Sequence, residues 1–155
     1  MKRDFRTTGY TPVLIVGGGP IGLALAADLG KRGIGVTVVE KNHNRIGPAK
    51  MNLVGVRTME FCRWLGIADK VSHWGFPEDF CMDNIFVAGS LNGWEIARIE
   101  MPPMGGPSHS RFSPERQRKC PQTAFDPIVR DCADSFDSVQ LNYRVRLESY
   151  VQHED

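Results

Sequence analysis

Three features within residues 11–41 predict an α/β fold built on a parallel sheet. An apolar run, Val13 to Val16, leads straight into a cluster of glycines; a helical stretch follows; and a second β run, Val36 to Val39, ends on an acid, Glu40. A continuous apolar run suits a strand buried on both faces. Gly17, Gly19 and Gly22 stand in G-x-G-x-x-G spacing directly after it, which together with the helix and the terminal acid marks a Rossmann-type unit that holds a dinucleotide.

The three glycines serve different ends. Gly17 permits the turn out of the strand, Gly19 lets the backbone come close to a pyrophosphate, and Gly22 lets the helix pack on the sheet. Pro20 suits the first helical turn, where its missing N–H leaves nothing unpaired. Gly17, Gly18, Gly19, Pro20, Ile21 and Gly22 are therefore the candidate pyrophosphate site. Ile21, Leu25 and Leu29 recur at helical spacing until Gly33 and Gly35 end the pattern. Glu40 lies about 20 residues beyond the glycines, where a carboxylate accepts hydrogen bonds from an adenosine ribose. A 2′-phosphate would meet like charge there, so the site favours FAD or NAD over NADP.

Lys2, Arg3 and Arg6 before the apolar run, with Ala24-Leu25-Ala26 after it, imitate a secretory signal. The glycines and Pro20 would interrupt its apolar region, and cleavage would discard the fingerprint, so a cytoplasmic protein is expected. Residues 1–10 read as a loose leader. After Glu40 the polar segment broken by Gly47 and Pro48 reads as a loop at the ligand end of the sheet, carrying Lys41, Arg45 and Lys50; Arg45 is as well explained by solvation as by a phosphate contact.

Arg57 to Leu65 is predicted helical with Gly66 as its stop, and another turn or two reaches Val71 to Trp74. Asn92-Gly93 between two apolar runs predicts a β-hairpin with a two-residue turn. Pairing Leu91 with Trp94 would set Ile85, Val87, Leu91, Trp94 and Ile96 on one face. Residues 101–119 read as a long loop, its Arg111, Arg116, Arg118 and Lys119 better explained by solvation than by an anion site.

Helix resumes near Gln122, with Phe125, Ile128, Val129 and Cys132 as its buried stripe, Thr123 and Asp126 placed like a capping pair, and Pro127 near its start or kinking it. Val139, Leu141, Tyr143, Val145 and Leu147 alternate with polar residues as a closing strand.

The 155 residues suffice for one domain with a core. A formal net charge of +1 gives no reason to expect a nucleic-acid or membrane-surface partner, and no apolar segment is long enough to span a bilayer. Cys62, Cys81, Cys120 and Cys132 lack C-x-x-C spacing, which argues against a metal site or redox dithiol. Reduced thiols are expected, Cys62 and Cys132 packed as small apolar residues.

Three segments resemble, in order, the N-terminal part of the FAD-dependent aromatic-ring hydroxylases, the single-component flavoprotein monooxygenases of the para-hydroxybenzoate hydroxylase and phenol hydroxylase type. VLIVGGGPIGLALAADL with Glu40 is similar to their FAD fingerprint, AKMNLVGVRTMEFCRWLGI to the stretch after their second strand, and SPERQRKCPQTAFDPIVRDCAD to the helix entered through a flavin-contacting glutamine. The resemblance implies a Rossmann-type FAD-binding domain with an inserted β-hairpin from an incomplete substrate domain. Residues 1–80 and 111–155 would be the two parts of the FAD-binding domain, and 81–110 the hairpin and loop of the substrate domain.

It further implies FAD as cofactor, NAD(P)H as reductant, and insertion of one oxygen atom from O2 into a small phenolic substrate by the intact family member. Glu40 would hold the ribose with Lys41 beside it, and Gln122 would contact the ribityl or flavin region. Lys50 stands where the family usually has arginine, keeping the charge but losing the planar fork. Asn52 stands where some phenol hydroxylases carry an aspartate that acts on the substrate hydroxyl, which an amide cannot do as a base. No residue is thereby named as catalytic. The family's later Asp-Gly and Gly-Asp motifs are absent, so the chain is expected to be the first part of a longer protein and inactive alone. Another FAD or NAD oxidoreductase sharing only the Rossmann start, or a non-catalytic dinucleotide-binding fragment, are the alternatives.

Overall fold

The computed structural model describes residues 9–43, 49–103 and 111–153. Arg45, Gly47, Pro48 and residues 1–8 lie outside them. Three strands, β1 (Val13–Val16), β2 (Val36–Glu40) and β7 (Val139–Tyr143), form a parallel sheet in the order β1-β2-β7. Helix α1 (Pro20–Lys31) links β1 to β2, and α4 (Gln122–Asp134) leads into β7. Between β2 and α4 come β3 (Leu53–Val54), α2 (Val56–Leu65), α3 (Ala68–Ser72), the hairpin β4 (Asn84–Ala88) and β5 (Trp94–Ile99), and β6 (Arg118–Lys119).

The register aligns Ile15 with Val38 and Val36 with Val139, so these four side chains share the sheet face covered by α1 and α4, and all are buried. Of the helical stripe Ile21, Leu25 and Leu29, Leu29 packs against the core, whereas Ile21 and Leu25 are exposed. Ile21 is 82% exposed, and α1 instead buries Leu23, Ala26, Ala27 and Gly30. Small residues win because α1 lies so near the sheet: a Cβ on Gly30 would stand 2.6 Å from Val139 Cγ2 and 2.9 Å from Phe136 Cδ2. The opposite sheet face carries Leu14, Val16 and Val39, the first two exposed.

Helix α2 begins one residue before the expected start and stops at Gly66, whose φ of 80° satisfies the left-handed C-cap. It buries Met59, Cys62 and Leu65. Trp64 ties it to α1, its indole N–H donating to Asp28 Oδ1 at 2.7 Å while Lys31 Nζ stands 4.2 Å from the ring centroid.

Residues 101–119 are not all loop. Arg118 and Lys119 pair antiparallel with Val54 and Leu53, a two-residue bridge too short to leave a periodic signal. Glu115 is buried and ion-paired with Arg63 of α2, so part of the basic segment is anchored rather than solvated.

The hairpin also departs from expectation. Ala88 opposes Trp94, so the connection is the five residues Gly89–Gly93, with Leu91 at the tip and 95% exposed. A bulge between Phe86 and Val87 in the register puts Ile85 and Val87 opposite Arg98 and Glu95, while Phe86, Ala88 and Trp94 share the other face. The inserted residue reverses the alternation, so the expected face of Ile85, Val87, Leu91, Trp94 and Ile96 does not form. Arg98 braces this unit by hydrogen bonds to Asp83 at 2.8 Å and to both oxygens of Glu95.

Helix α4 has Pro121 as N-cap and no side-chain cap, so Thr123 and Asp126 are not a capping pair. Pro127 sits inside it, in the second turn. Phe125 and Val129 are buried as expected, with Ile128 and Cys132 partly so. The last strand ends at Tyr143, short of Leu147, because Arg144 adopts φ 59° and turns the chain out of the sheet.

All four cysteines are free; Cys62 and Cys120 are buried, and desolvation raises their thiols to about 11 and about 12 respectively, while Cys81 is exposed. In native protein at pH 8, a thiol reagent read by mass spectrometry is expected to modify Cys81 first and to reach Cys62 and Cys120 only with global unfolding. Labelling of all cysteines at one rate would contradict this core.

Candidate functional site

The carboxyl end of the sheet, where both parallel connections turn, is where α/β folds bind ligands. Gly17 leaves β1 with φ 113° and its N–H donates to Val39 O at 2.8 Å, latching the turn to the neighbouring strand. The chain then enters α1 through Gly19 and Pro20. A Cβ on Gly22 would lie 2.0 Å from Gly17 O, so no other residue fits there. A Cβ on Gly19 would meet nothing within 4 Å. The protein itself therefore gives no steric reason for glycine at position 19, whereas a ligand lying against that backbone does.

The N-terminus of α1 has neither a side-chain cap nor an acid in its first turn. By helix geometry the N–H groups of Ile21 and Gly22 lack intrahelical acceptors, and with the helix dipole they suit an anion.

Glu40 faces this turn. Its Oε2 accepts from Gly18 N–H at 2.9 Å and its Oε1 from Asn42 N–H at 2.8 Å. These backbone donors, Asn42 foremost and then Gly18, hold the carboxyl below its ordinary range. Each oxygen keeps a second acceptor position, which suits two vicinal ribose hydroxyls.

Residues after β7 complete the site; in the sequence they are hidden, because they continue the alternation of the strand that precedes them. Arg144 N–H donates to Asn42 O at 3.1 Å and Val145 N–H to Glu40 O at 3.0 Å, while Arg144 Nε donates to His43 Nδ1 at 3.1 Å. The turn brings Val145, Arg146 and Leu147 opposite Glu40. Together with Val16, Gly17, Val39, Lys41 and Asn42 they line a cavity of about 450 Å³, within the range of roughly 300–1,000 Å³ usual for small-molecule sites. Lys41 lines the same cavity as Glu40.

A second cluster joins Lys50 and Gln122, 72 residues apart in sequence. Lys50 N–H donates to Gln122 Oε1 at 3.1 Å, and Gln122 N–H returns a bond to Met51 O at 2.9 Å. Cys120 N–H bonds Asn52 O at 3.0 Å, so this contact extends the β3–β6 bridge to the start of α4. Gln122 Nε2 donates to Asp126 Oδ2 at 3.1 Å. Helices in such folds start at the carboxyl end of the sheet, so the cluster shares that end with the glycine turn. Among the described residues no group of His, Cys, Asp and Glu could hold a metal ion, and no helix is long and apolar enough to cross a membrane.

A family model described as FAD binding domain matches residues 10–155. Tetracenomycin A2 monooxygenase-dioxygenase of Streptomyces glaucescens is 29% identical over 96% of this chain and 28% of its own length. Phenol 2-monooxygenase of Pseudomonas sp. (strain EST1001) is 32% identical over 77% of this chain and 20% of its own. The rebeccamycin biosynthetic enzyme RebC with reduced flavin superposes with a TM-score of 0.84 at 34% identity, over 94% of this chain and 27% of that one. The chain thus spans about a quarter of the length of these relatives.

Glu40→Gln tests the carboxylate's part in the ligand-free fold. Removing an acceptor charged at pH 7 is expected to cost about 1–3 kcal/mol in urea unfolding. The folded pKa lies below the ordinary value of 4.5, so this contribution is complete above that value and is lost as pH falls through the folded one. The variant should therefore lose less stability than wild type on acidification below pH 4.5; parallel acid profiles would contradict it.

Proposed function

The chain belongs to the FAD binding domain family, and from that premise we propose that it is the FAD-holding part of an NAD(P)H-dependent monooxygenase hydroxylating phenolic or related aromatic rings. The observation that carries the cofactor assignment is Gly19: a glycine with open space over its Cα, at an uncapped helix N-terminus, opposite a carboxylate already oriented by backbone donors.

Gly17 to Gly22 would receive the pyrophosphate, Glu40 the adenosine ribose with Lys41 beside it, and Val145 to Leu147 would wall the adenosine end. Gln122, backed by Lys50, would face the ribityl and flavin end. FAD when bound supplies the electron storage and oxygen transfer; the protein binds, orients and excludes water. Relatives such as phenol 2-monooxygenase support an aromatic substrate class. O2 is the co-substrate under this reading, and the protein works in the cytoplasm. Residues 81–110 belong to the substrate side, and residues 1–80 with 111–155 to the cofactor side.

Titration of the purified chain with FAD, NAD and NADP, wild type against Gly19→Val and Glu40→Ala, tests the assignment. FAD is expected to bind and NADP to bind least. Gly19→Val should keep the fold, because its Cβ meets no protein atom, yet lose at least about tenfold in FAD affinity, the equivalent of 1.4 kcal/mol. Equal binding by all three proteins would overturn the site. The chain alone, given FAD, NAD(P)H and a panel of phenols, should form no hydroxylated product at a significant rate; product stoichiometric with NAD(P)H consumed would overturn the need for the rest of a full-length relative.

A further inference from the structure

Asp126 is 7% exposed, and its carboxyl is only half used. Oδ2 accepts from Gln122 Nε2 at 3.1 Å, whereas Oδ1 is buried with no hydrogen-bond partner among the described residues. Burial raises the carboxyl's pKa, against which the Gln122 hydrogen bond acts. The buried neighbours on its helix are Phe125, Val129 and Ala133, so an apolar side chain would suit the position. A buried acceptor left unsatisfied costs stability, and its presence in a folded protein calls for a reason outside packing.

Gln122 supplies one. Its amide has two ends of opposite character, and a half-turn about its last torsion exchanges donor for acceptor. Here Oε1 faces Lys50 N–H at 3.1 Å and Nε2 faces Asp126 Oδ2. The reversed amide would set Nε2 against the Lys50 N–H and Oε1 against the carboxyl oxygen, losing both bonds. Lys50 contributes a backbone group, so this clamp does not depend on its side chain. A proton on Oδ1 leaves Oδ2 an acceptor, so the orientation holds in either charge state of Asp126.

We propose that Asp126 is a positioning residue: it fixes the Gln122 amide so that the second Nε2 hydrogen is offered to the flavin end of bound FAD. This rests on the reading of Gln122 as the flavin-side contact. Asp126 touches no cofactor itself and acts through Gln122.

The test uses the full 155-residue chain as wild type, Gln122→Ala, Asp126→Asn, Asp126→Leu and the double variant Gln122→Ala/Asp126→Leu. Calorimetric affinities for FAD and for ADP, which lacks the flavin, are measured together with the thermal midpoint. Asp126→Leu is expected to weaken FAD about three- to tenfold, the range of one hydrogen bond, and to leave ADP unchanged. Its midpoint should be equal to wild type or higher, since an unsatisfied buried oxygen is gone. Asp126→Asn keeps an acceptor and should restore FAD binding. Gln122→Ala should match Asp126→Leu, and the double variant should lose no more than either, because one contact is removed by both routes.

A merely structural Asp126 would instead give Asp126→Leu a lower midpoint and equal losses for FAD and ADP, overturning the proposal. Loss of FAD affinity in Gln122→Ala but not in Asp126→Leu would overturn it too, while leaving the reading of Gln122 intact. Unchanged FAD affinity in Gln122→Ala would overturn that reading and the proposal with it.

Discussion

The ligand end of this protein depends on how Glu40 is held. Its two oxygens take N–H groups from opposite sides, Gly18 in the turn after β1 and Asn42 in the segment after β2. One carboxylate thereby pins the glycine turn to the end of the second strand, and the main-chain bond from Gly17 to Val39 repeats the link one residue earlier. The acid that would receive a ribose is thus a structural brace before any ligand arrives. Its orientation costs nothing further at binding, which is the advantage of a preorganised site. The same brace reaches the third strand, because Val145 bonds the main chain of Glu40 and Arg144 that of Asn42.

What the sequence made legible was local. Strand, glycine turn, helix and terminal acid lie within 11–41, and each signal is set by near neighbours, so β1, α1 and β2 stand where periodicity and spacing placed them. What escaped was set at a distance. The β3–β6 bridge is two residues long and joins positions some 65 apart, beyond any window of periodicity. The hairpin failed for a different reason: Asn92-Gly93 is a strong turn signal, but a bulge shifted the register and Gly89, at φ 79°, opened a longer loop. Val145 to Leu147 kept the alternation of a strand while Arg144 had already turned the backbone away.

Helix α1 is a plain case of packing distance overruling hydrophobic pattern. Ile21 and Leu25 are larger and more apolar than Ala26, Ala27 and Gly30, yet the small residues face the sheet and α4. Close helix–sheet approach excludes side chains, and Gly22 against Gly17 at the other end of α1 imposes the same limit. The spacing of the glycines and alanines was therefore the better guide to the buried face than the spacing of the large residues. Ile21 and Leu25 are left exposed on α1, while Leu14 and Val16 lie on the opposite face of the sheet, the one that a doubly wound α/β protein covers with a further layer.

The parallel pairing of β2 with β7 has a consequence for synthesis on the ribosome. Val36 meets Val139, so the second edge of β2 finds its partner only after about 100 further residues have been made. At roughly 5–20 residues per second that is an interval of about 5–20 s. During it β1, α1 and β2 have left the tunnel with an unpaired strand edge and without α4, the helix that shares their sheet face. The hairpin, whose contacts are local, can close in microseconds within the same interval. A nascent chain paused in this window exposes a β-edge that sticks to others of its kind. Chaperone demand in the cell should accordingly peak before Gln122 emerges and fall once β7 has docked.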